Sequence, residues 1–220
     1  MKGKDGFYAR VVKRALDVIC SAAALLVFCW LFGILALLVR IKLGSPVIYK
    51  ANRPGRIDPK TGKERIFQLY KFRSMTNEKD ENGKLLPDTE RLTPFGRKLR
   101  AASLDELPEI FNIFKGDMSI VGPRPLAVSY LQYYTEEEHH RHDVRPGLTG
   151  LAQVSGRNSL SWEQKFALDL QYIRELSFLR DVGIVLKTVV KVFRREGIGQ
   201  GEAAPVSLST ERKERAEVKQ

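Results

Sequence analysis

Hydrophobic and polar positions follow three different habits along this chain. From Val18 to Val39 no residue carries a charge, and Ser21 is the only clearly polar side chain. As a helix this run would reach about 33 Å, enough to match a hydrocarbon core of about 30 Å. A buried helix of a soluble core is seldom so long and so uniformly apolar. A cleaved signal peptide would have a shorter apolar run and a small-residue cleavage site before Arg40. The segment is therefore expected in a bilayer. Basic residues flank it on both sides, Lys13 and Arg14 before it and Arg40, Lys42, Lys50 and Arg53 after it. Basic flanks stay on the cytoplasmic side, so a helix that enters, bends and returns suits both, whereas a full span carries one across. There is no proline in the run, and Gly33 is its evident weak point.

After Gly44-Ser45-Pro46 the pattern changes to short β-rich runs. Val47-Ile48-Tyr49-Lys50 and Arg65–Phe72 surround the turn signals Asn52-Arg53-Pro54-Gly55 and Asp58-Pro59-Lys60-Thr61-Gly62, which predicts a hairpin. Residues 76–92 are polar and hold Asn82-Gly83, the mark of a surface loop. Thr93-Pro94 reads as an N-cap followed by proline at the first helical position. A further short helix is expected from Pro108 toward Lys115, stopping near Gly116. From Ser161 to Arg195 the chain is mostly helical. There Leu179, Val182, Leu186, Val189, Val190 and Phe193 form a stripe at helical spacing beside Arg180, Lys187, Lys191, Arg194 and Arg195. Such a helix can lie on anionic headgroups or pack on the domain core. The tail from 197, small and charged, is expected to be disordered. The expected fold is α+β. A basic N-terminus and membrane-inserted, re-entrant helix (1–42) precede a small, mostly helical cytosolic domain (43–196) with a β-hairpin and interfacial amphipathic helices, and a tail covers 197–220. No internal repeat is present.

Charge narrows the class of partner. Thirty-seven lysines and arginines against 26 acids give +11, which favours nucleic acid, anionic lipid or phosphorylated substrates. The two cysteines, Cys20 and Cys29, lie nine apart in the apolar run. On a helix they are roughly 13 Å apart, too far for a disulfide.

The candidate chemistry centres on Ser103-Leu104-Asp105-Glu106-Leu107-Pro108-Glu109, just after Arg97-Lys98-Leu99-Arg100. Two adjacent carboxylates beside a cationic helix, whose Arg97 and Arg100 share a face, form a phosphate-chemistry arrangement. The same letters fit an S-x-x-E capping box at Ser103 and Glu106, and spacing alone leaves both readings open. Lys71 and Arg73 at the end of the hairpin can meet phosphate or form a solvated face. Arg124, between Pro123 and Pro125, sits on stiff backbone and can be aimed at a phosphate at little entropic cost. Glu136–Asp143 holds three histidines, but no zinc spacing, and reads as a solvated helix end. The block Arg145–Arg157 joins three glycines with Thr149, Gln153, Arg145 and Arg157, able to present donors to a polyanion. It is neither a Walker loop nor a G-x-G-x-x-G fingerprint, and a glycine-rich structural turn is the plain alternative.

Taken in order, Lys13-Arg14-Ala15-Leu16-Asp17 with the apolar run, Lys71-Phe72-Arg73-Ser74-Met75, Ser103–Pro108, Val121-Gly122-Pro123-Arg124-Pro125-Leu126 and the Arg145–Arg157 block resemble one family over about residues 8–195. This is the bacterial sugar transferase family, the monotopic phosphoglycosyl transferases that start glycan assembly on polyprenyl phosphate. The short form looks most like the bacillosamine phosphotransferases of protein glycosylation. The resemblance implies that Asp105 is the nucleophile, taking a phosphosugar from a UDP-sugar, releasing UMP and passing the group to undecaprenyl phosphate in ping-pong order. It implies Mg²⁺ held by Asp105 and Glu106. Lys71, Arg100, Arg124, Arg145, Thr149, Gln153 and Arg157 are the implied substrate-binding residues. Residues 43–196 become the catalytic domain, on the cytoplasmic face of the membrane. The family's apolar helix breaks at a Ser-Pro pair, where this chain has Cys29-Trp30.

Membrane lipids are expected partners, nucleic acid is not, and self-association is left open. A membrane-anchored nucleic-acid binder would show a helix-turn-helix, zinc or RNP-type signature, and none is present. A non-catalytic scaffold for other transferases, with Asp105 and Glu106 as mere caps, is separated from the enzyme by Asp105→Asn.

Overall fold

The computed structural model describes residues 6–156, 159–194 and 207–217. The apolar run begins behind a π-helical turn, Tyr8–Val12, and folds as two helices, α1 (Lys13–Val27) and α2 (Cys29–Leu43). The pair bends by 64° at Phe28, whose φ is −101° and ψ 10°. Among the described residues no single helix is long and apolar enough to cross a membrane, although the bent pair together is. The break sits one residue before Cys29-Trp30 and not at Gly33, which lies inside α2. Glycine costs a helix about 1 kcal/mol but keeps its N–H, so a bonded ladder runs through it.

Strands β1 (Ile48–Ile57) and β2 (Glu64–Phe72) form the hairpin. Its first strand is longer than the turn signals imply. Pro54 and Gly55 are buried within β1, and a Cβ at Gly55 would lie 2.9 Å from the Arg65 carbonyl oxygen. That glycine therefore permits close strand approach and does not mark a turn. The turn falls at Asp58–Lys63, where the Asp58 N–H donates to the Lys63 carbonyl at 2.9 Å.

The chain divides into two compact units, each discontinuous in sequence. One contains residues 18–51 and 68–115. Its core is Leu35, Val39, Phe72 and Leu99, with Phe32, Phe95, Leu104 and Leu107 packed around them. The polar loop after β2 closes a small turn through Asn82-Gly83, with Lys79 bridging Leu85, and leads to the short α3 (Asp88–Arg91). Helix α4 (Pro94–Ala101) starts as expected: Thr93 Oγ1 accepts the Gly96 N–H at 3.1 Å and Pro94 takes the first position. A 3₁₀ turn, Leu104–Glu106, precedes α5 (Glu109–Lys115), which stops before Gly116 at φ +95°.

The other unit contains residues up to 17, 52–67 and 116 onward. A second sheet, which the hydropathy pattern does not predict, pairs β3 (Ser119–Val121) in parallel with β4 (Gly147–Thr149), Ser119 opposite Gly147 and Val121 opposite Thr149. Helix α6 (Glu136–His139) lies between these strands in sequence. Helices α7 (Leu151–Ser155), α8 (Trp162–Arg174) and α9 (Phe178–Arg194) follow, with Val121, Leu151, Val154, Tyr172, Ile173 and Ile184 in one core. The base of α1 is tied into this unit by Tyr8, Lys13 and Tyr172, all donating to the Asp181 carboxylate. The stripe on α9 faces outward: Leu179 and Leu186 are 79% and 61% exposed, while Asp181 and Ile184 face in.

Two expectations fail here. The run Glu136–Asp143 is not a solvated helix end. Arg141 and His142 are buried, and Arg141 forms an ion pair with buried Asp169 at 2.7 Å. The tail is not wholly disordered either, because Leu208–Glu217 forms α10. Leu208 is fully buried with Tyr134, Trp162 and Phe166, and Arg212 pairs with Glu138. One apolar side chain in an aromatic pocket holds a segment whose composition reads as soluble tail.

Candidate active site

The turn that carries the two carboxylates depends on Ser103, which stands at φ +55° and makes no side-chain cap. The capping-box reading is thereby overturned: a serine in the left-handed region has left the extended geometry that an N-cap requires. The turn drops Asp105 inward, where it is 8% exposed. Burial raises its carboxyl above the ordinary carboxylate range, and the neighbouring Glu106 charge raises it further. Lys71 and Arg100 pull it back down, as does its own backbone N–H.

Around Asp105 the same unit gathers Lys71, Ser74, Arg100, Glu106 and Glu109. Lys71 Nζ lies 2.8 Å from Glu106 Oε1 and 3.1 Å from Glu109 Oε1. Arg100 Nε donates to Ser74 Oγ at 2.8 Å. Buried Ser74 is held by its backbone, for its carbonyl oxygen would lie 1.8 Å from a Cβ at Gly96. Arg73 turns away from this group. Its guanidinium donates to the carbonyls of Ser45, at 2.7 Å, and Leu43, closing the C-terminus of α2. Burial and the Arg40 charge lower its pKa.

Of the residues expected at a site, Lys71, Arg100, Asp105 and Glu106 thus come together in one unit, and Arg124, Arg145, Thr149 and Gln153 belong to the other. Arg124 is exposed between buried Pro123 and Pro125, and its carbonyl accepts Arg141 Nη2 at 2.7 Å. Arg145 Nε donates to the Gly116 carbonyl at 2.9 Å. Burial lowers its pKa, with further lowering by the charges of Arg14 and Arg56. Thr149 is buried, its hydroxyl 2.7 Å from that of Thr188. Gln153 Nε2 donates to the Leu148 carbonyl at 3.0 Å. Arg157 lies outside the described residues. The glycines of this block allow close backbone packing, since a Cβ at Gly147 would lie 2.1 Å from Gly122 N, and one at Gly150 2.2 Å from Gly122 O.

Glu109 is the site residue that sequence reasoning missed. An acid in the first turn of a helix, after Pro108, is ordinary, and nothing local connects it to Lys71.

Two adjacent carboxylates, one buried beside the charge of the other, are hard oxygen donors suited to a divalent cation. Mg²⁺ commonly takes one or two carboxylates and completes its shell with water and phosphate oxygens. Among the described residues no group of three His, Cys, Asp or Glu side chains is arranged for a metal. The chemistry of Asp105 and Glu106, two carboxylates, is what a cation sharing its shell with phosphate would use.

Comparison with known proteins identifies the family. The family model described as bacterial sugar transferase matches residues 8–195. The chain is 50% identical over 192 residues to the uncharacterized sugar transferase EpsL of Bacillus subtilis, covering 86% of this chain and 91% of that protein. It is 38% identical over 187 residues to the UDP-glucose:undecaprenyl-phosphate glucose-1-phosphate transferase of Caulobacter vibrioides, 80% of this chain and 68% of that protein. It is 36% identical over 206 residues to the undecaprenyl-phosphate galactose phosphotransferase of Salmonella typhimurium, 86% of this chain but only 42% of that longer protein.

Proposed function

Since the chain belongs to the bacterial sugar transferase family and is a phosphoglycosyl transferase, we propose that it moves a sugar 1-phosphate from a UDP-sugar to undecaprenyl phosphate through a covalent intermediate on Asp105. The observation that carries this reading is the Asp105 carboxyl itself, buried, raised in pKa and flanked by Lys71 and Arg100. A carboxylate stripped of water is more basic and more nucleophilic once ionised, and nearby cations favour that ionised form.

In the first half-reaction an Asp105 oxygen attacks the β-phosphorus. The bond from that phosphorus to the bridging oxygen breaks, and UMP leaves with the electron pair. In the second, a phosphate oxygen of the lipid attacks the same phosphorus and Asp105 is released, giving undecaprenyl-diphosphate-sugar. Two transfers at one carboxylate let a soluble donor and a lipid acceptor use the site in turn. Asp105 and Glu106 would hold Mg²⁺, which would supply charge neutralisation for the diphosphate. Arg100, fixed by Ser74, serves the phosphates of the substrates. The bent pair α1 and α2 dips into the cytoplasmic leaflet.

The named relatives act on glucose and galactose, so the donor panel pairs UDP-glucose and UDP-galactose with N-acetylated UDP-sugars, bacillosamine-type ones included. Intact-protein mass spectrometry after incubation with Mg²⁺ and each donor, without lipid, tests the proposal. A gain of one phosphosugar with UMP release is expected from the wild type, and a loss of roughly a thousandfold or more in Asp105→Asn. Folded protein that gives neither adduct nor UMP with any donor would support the scaffold reading, and UMP formed only with lipid present would support direct transfer.

A further inference from the structure

Lys71 is gripped from two sides. Its ammonium meets Glu106 at 2.8 Å, with both side chains 19% exposed, and meets Glu109 at 3.1 Å, with the Glu109 side chain only 3% exposed. One carboxylate thus holds the ammonium from the closed side, and the ammonium holds the other carboxylate from the open side. One helical turn along α5, Asn112 is fully buried; it accepts the Tyr70 N–H at 3.0 Å and donates to the Gln68 carbonyl at 2.7 Å. Residues three apart share a helix face, so Glu109 and Asn112 together fix strand residues 68–71 against α5. A lysine has a flexible four-carbon stem and three rotatable donors. This face of α5 takes that freedom away and delivers the ammonium to Glu106.

We infer that Glu109 is a positioning residue of the transfer reaction, holding Glu106 in place beside Asp105 through Lys71. The inference rests on reading Asp105 as the point of transfer. Glu109 touches neither substrate in this role. Phosphoryl transfer draws mostly on positioning and charge placement, so a loosened Lys71 slows the reaction without abolishing the nucleophile.

The test is a cycle of Glu109→Gln, Lys71→Met and the double variant, read as the rate of UMP release and its split between kcat and the donor KM. Glutamine keeps the shape of Glu109 and leaves Lys71 its bond to Glu106; melting temperatures show that each variant is folded. Glu109→Asp, which keeps the charge but shortens the reach, is the second probe should the glutamine variant fail to fold. Glu109→Gln is expected to lower kcat roughly tenfold to a hundredfold, with the smaller change in KM, and Glu109→Asp to fall between it and the wild type. The double variant is expected to be no slower than Lys71→Met, because effects carried by one contact do not add. Wild-type kcat in both Glu109 variants, or a double variant whose loss is the product of the two single losses, would overturn the inference. A wild-type protein that releases no UMP overturns the proposed function first, and this inference with it.

Discussion

Ser103 is the only non-glycine residue at positive φ among those described, in a conformation that costs an ordinary residue roughly 1–2 kcal/mol. The letters S-x-x-E give no hint of it, since they spell a cap that the backbone then declines to form. Gly96 is equally silent in sequence: it is glycine for space against Ser74, not for its φ. His142 shows the same gap and yields a prediction. Burial, and next the adjacent Arg141 charge, press its imidazole down to about 3 from an ordinary 6.5, with a smaller lowering by His139. Its Nδ1–H donates to the Gly55 carbonyl at 3.1 Å, Tyr134 stacks on the ring, and Nε2 is buried with no partner to receive a second proton. The folded state therefore holds the neutral ring. Stability from this site is complete above the ordinary value and is lost as pH falls from there toward 3. Urea midpoints measured at pH 7.5 and pH 5 should fall further for the wild type than for His142→Asn; equal falls would place the acid sensitivity elsewhere.

At the scale of elements, α4 and α5 were legible because their signals are local: Thr93-Pro94 opens one, and Pro108 and Gly116 frame the other. What α5 does was not legible. Asn112 reaches strand β2 across 42 and 44 positions of sequence, and no spacing rule connects a helix face to a strand edge so far away. Asn112→Ala removes the partners of a backbone N–H and a carbonyl at once, so it should destabilise the protein by roughly 2–4 kcal/mol. A denaturant titration with unchanged slope checks it, and a loss under 1 kcal/mol would mean that water replaces the amide. The second sheet escaped notice because its strands are three residues long, and β4 opens on a glycine, below the length at which alternation carries a signal. Helix α10 escaped because Leu208 is its one deeply buried anchor, and composition averages such a residue away. The double basic flank, by contrast, was plain in the sequence and still bears on topology.

For the whole molecule the open choice is whether the apolar pair spans or returns. Two arms of 15 residues each are about 22 Å long. Bent by 64°, with both ends on one face, they reach about 12 Å into the bilayer, less than half of its roughly 30 Å core. Opened as a kinked span, the same pair covers about 38 Å, which also suffices. Length therefore does not decide, and charge favours the return that we propose. A span would carry Arg10, Lys13 and Arg14 across the membrane, with Lys13 buried against Asp181, in a chain whose net charge of +11 already favours an anionic cytoplasmic leaflet. Cysteines placed singly at exposed Phe7 and Tyr49, after Cys20 and Cys29 are changed to serine, report both flanks. A membrane-impermeant thiol reagent should label both in inverted vesicles and neither in intact spheroplasts. Labelling of position 7 from the outer side alone would make the bend at Phe28 a kink in a span, and the acceptor lipid would then meet the site along a crossing helix instead of one that turns back.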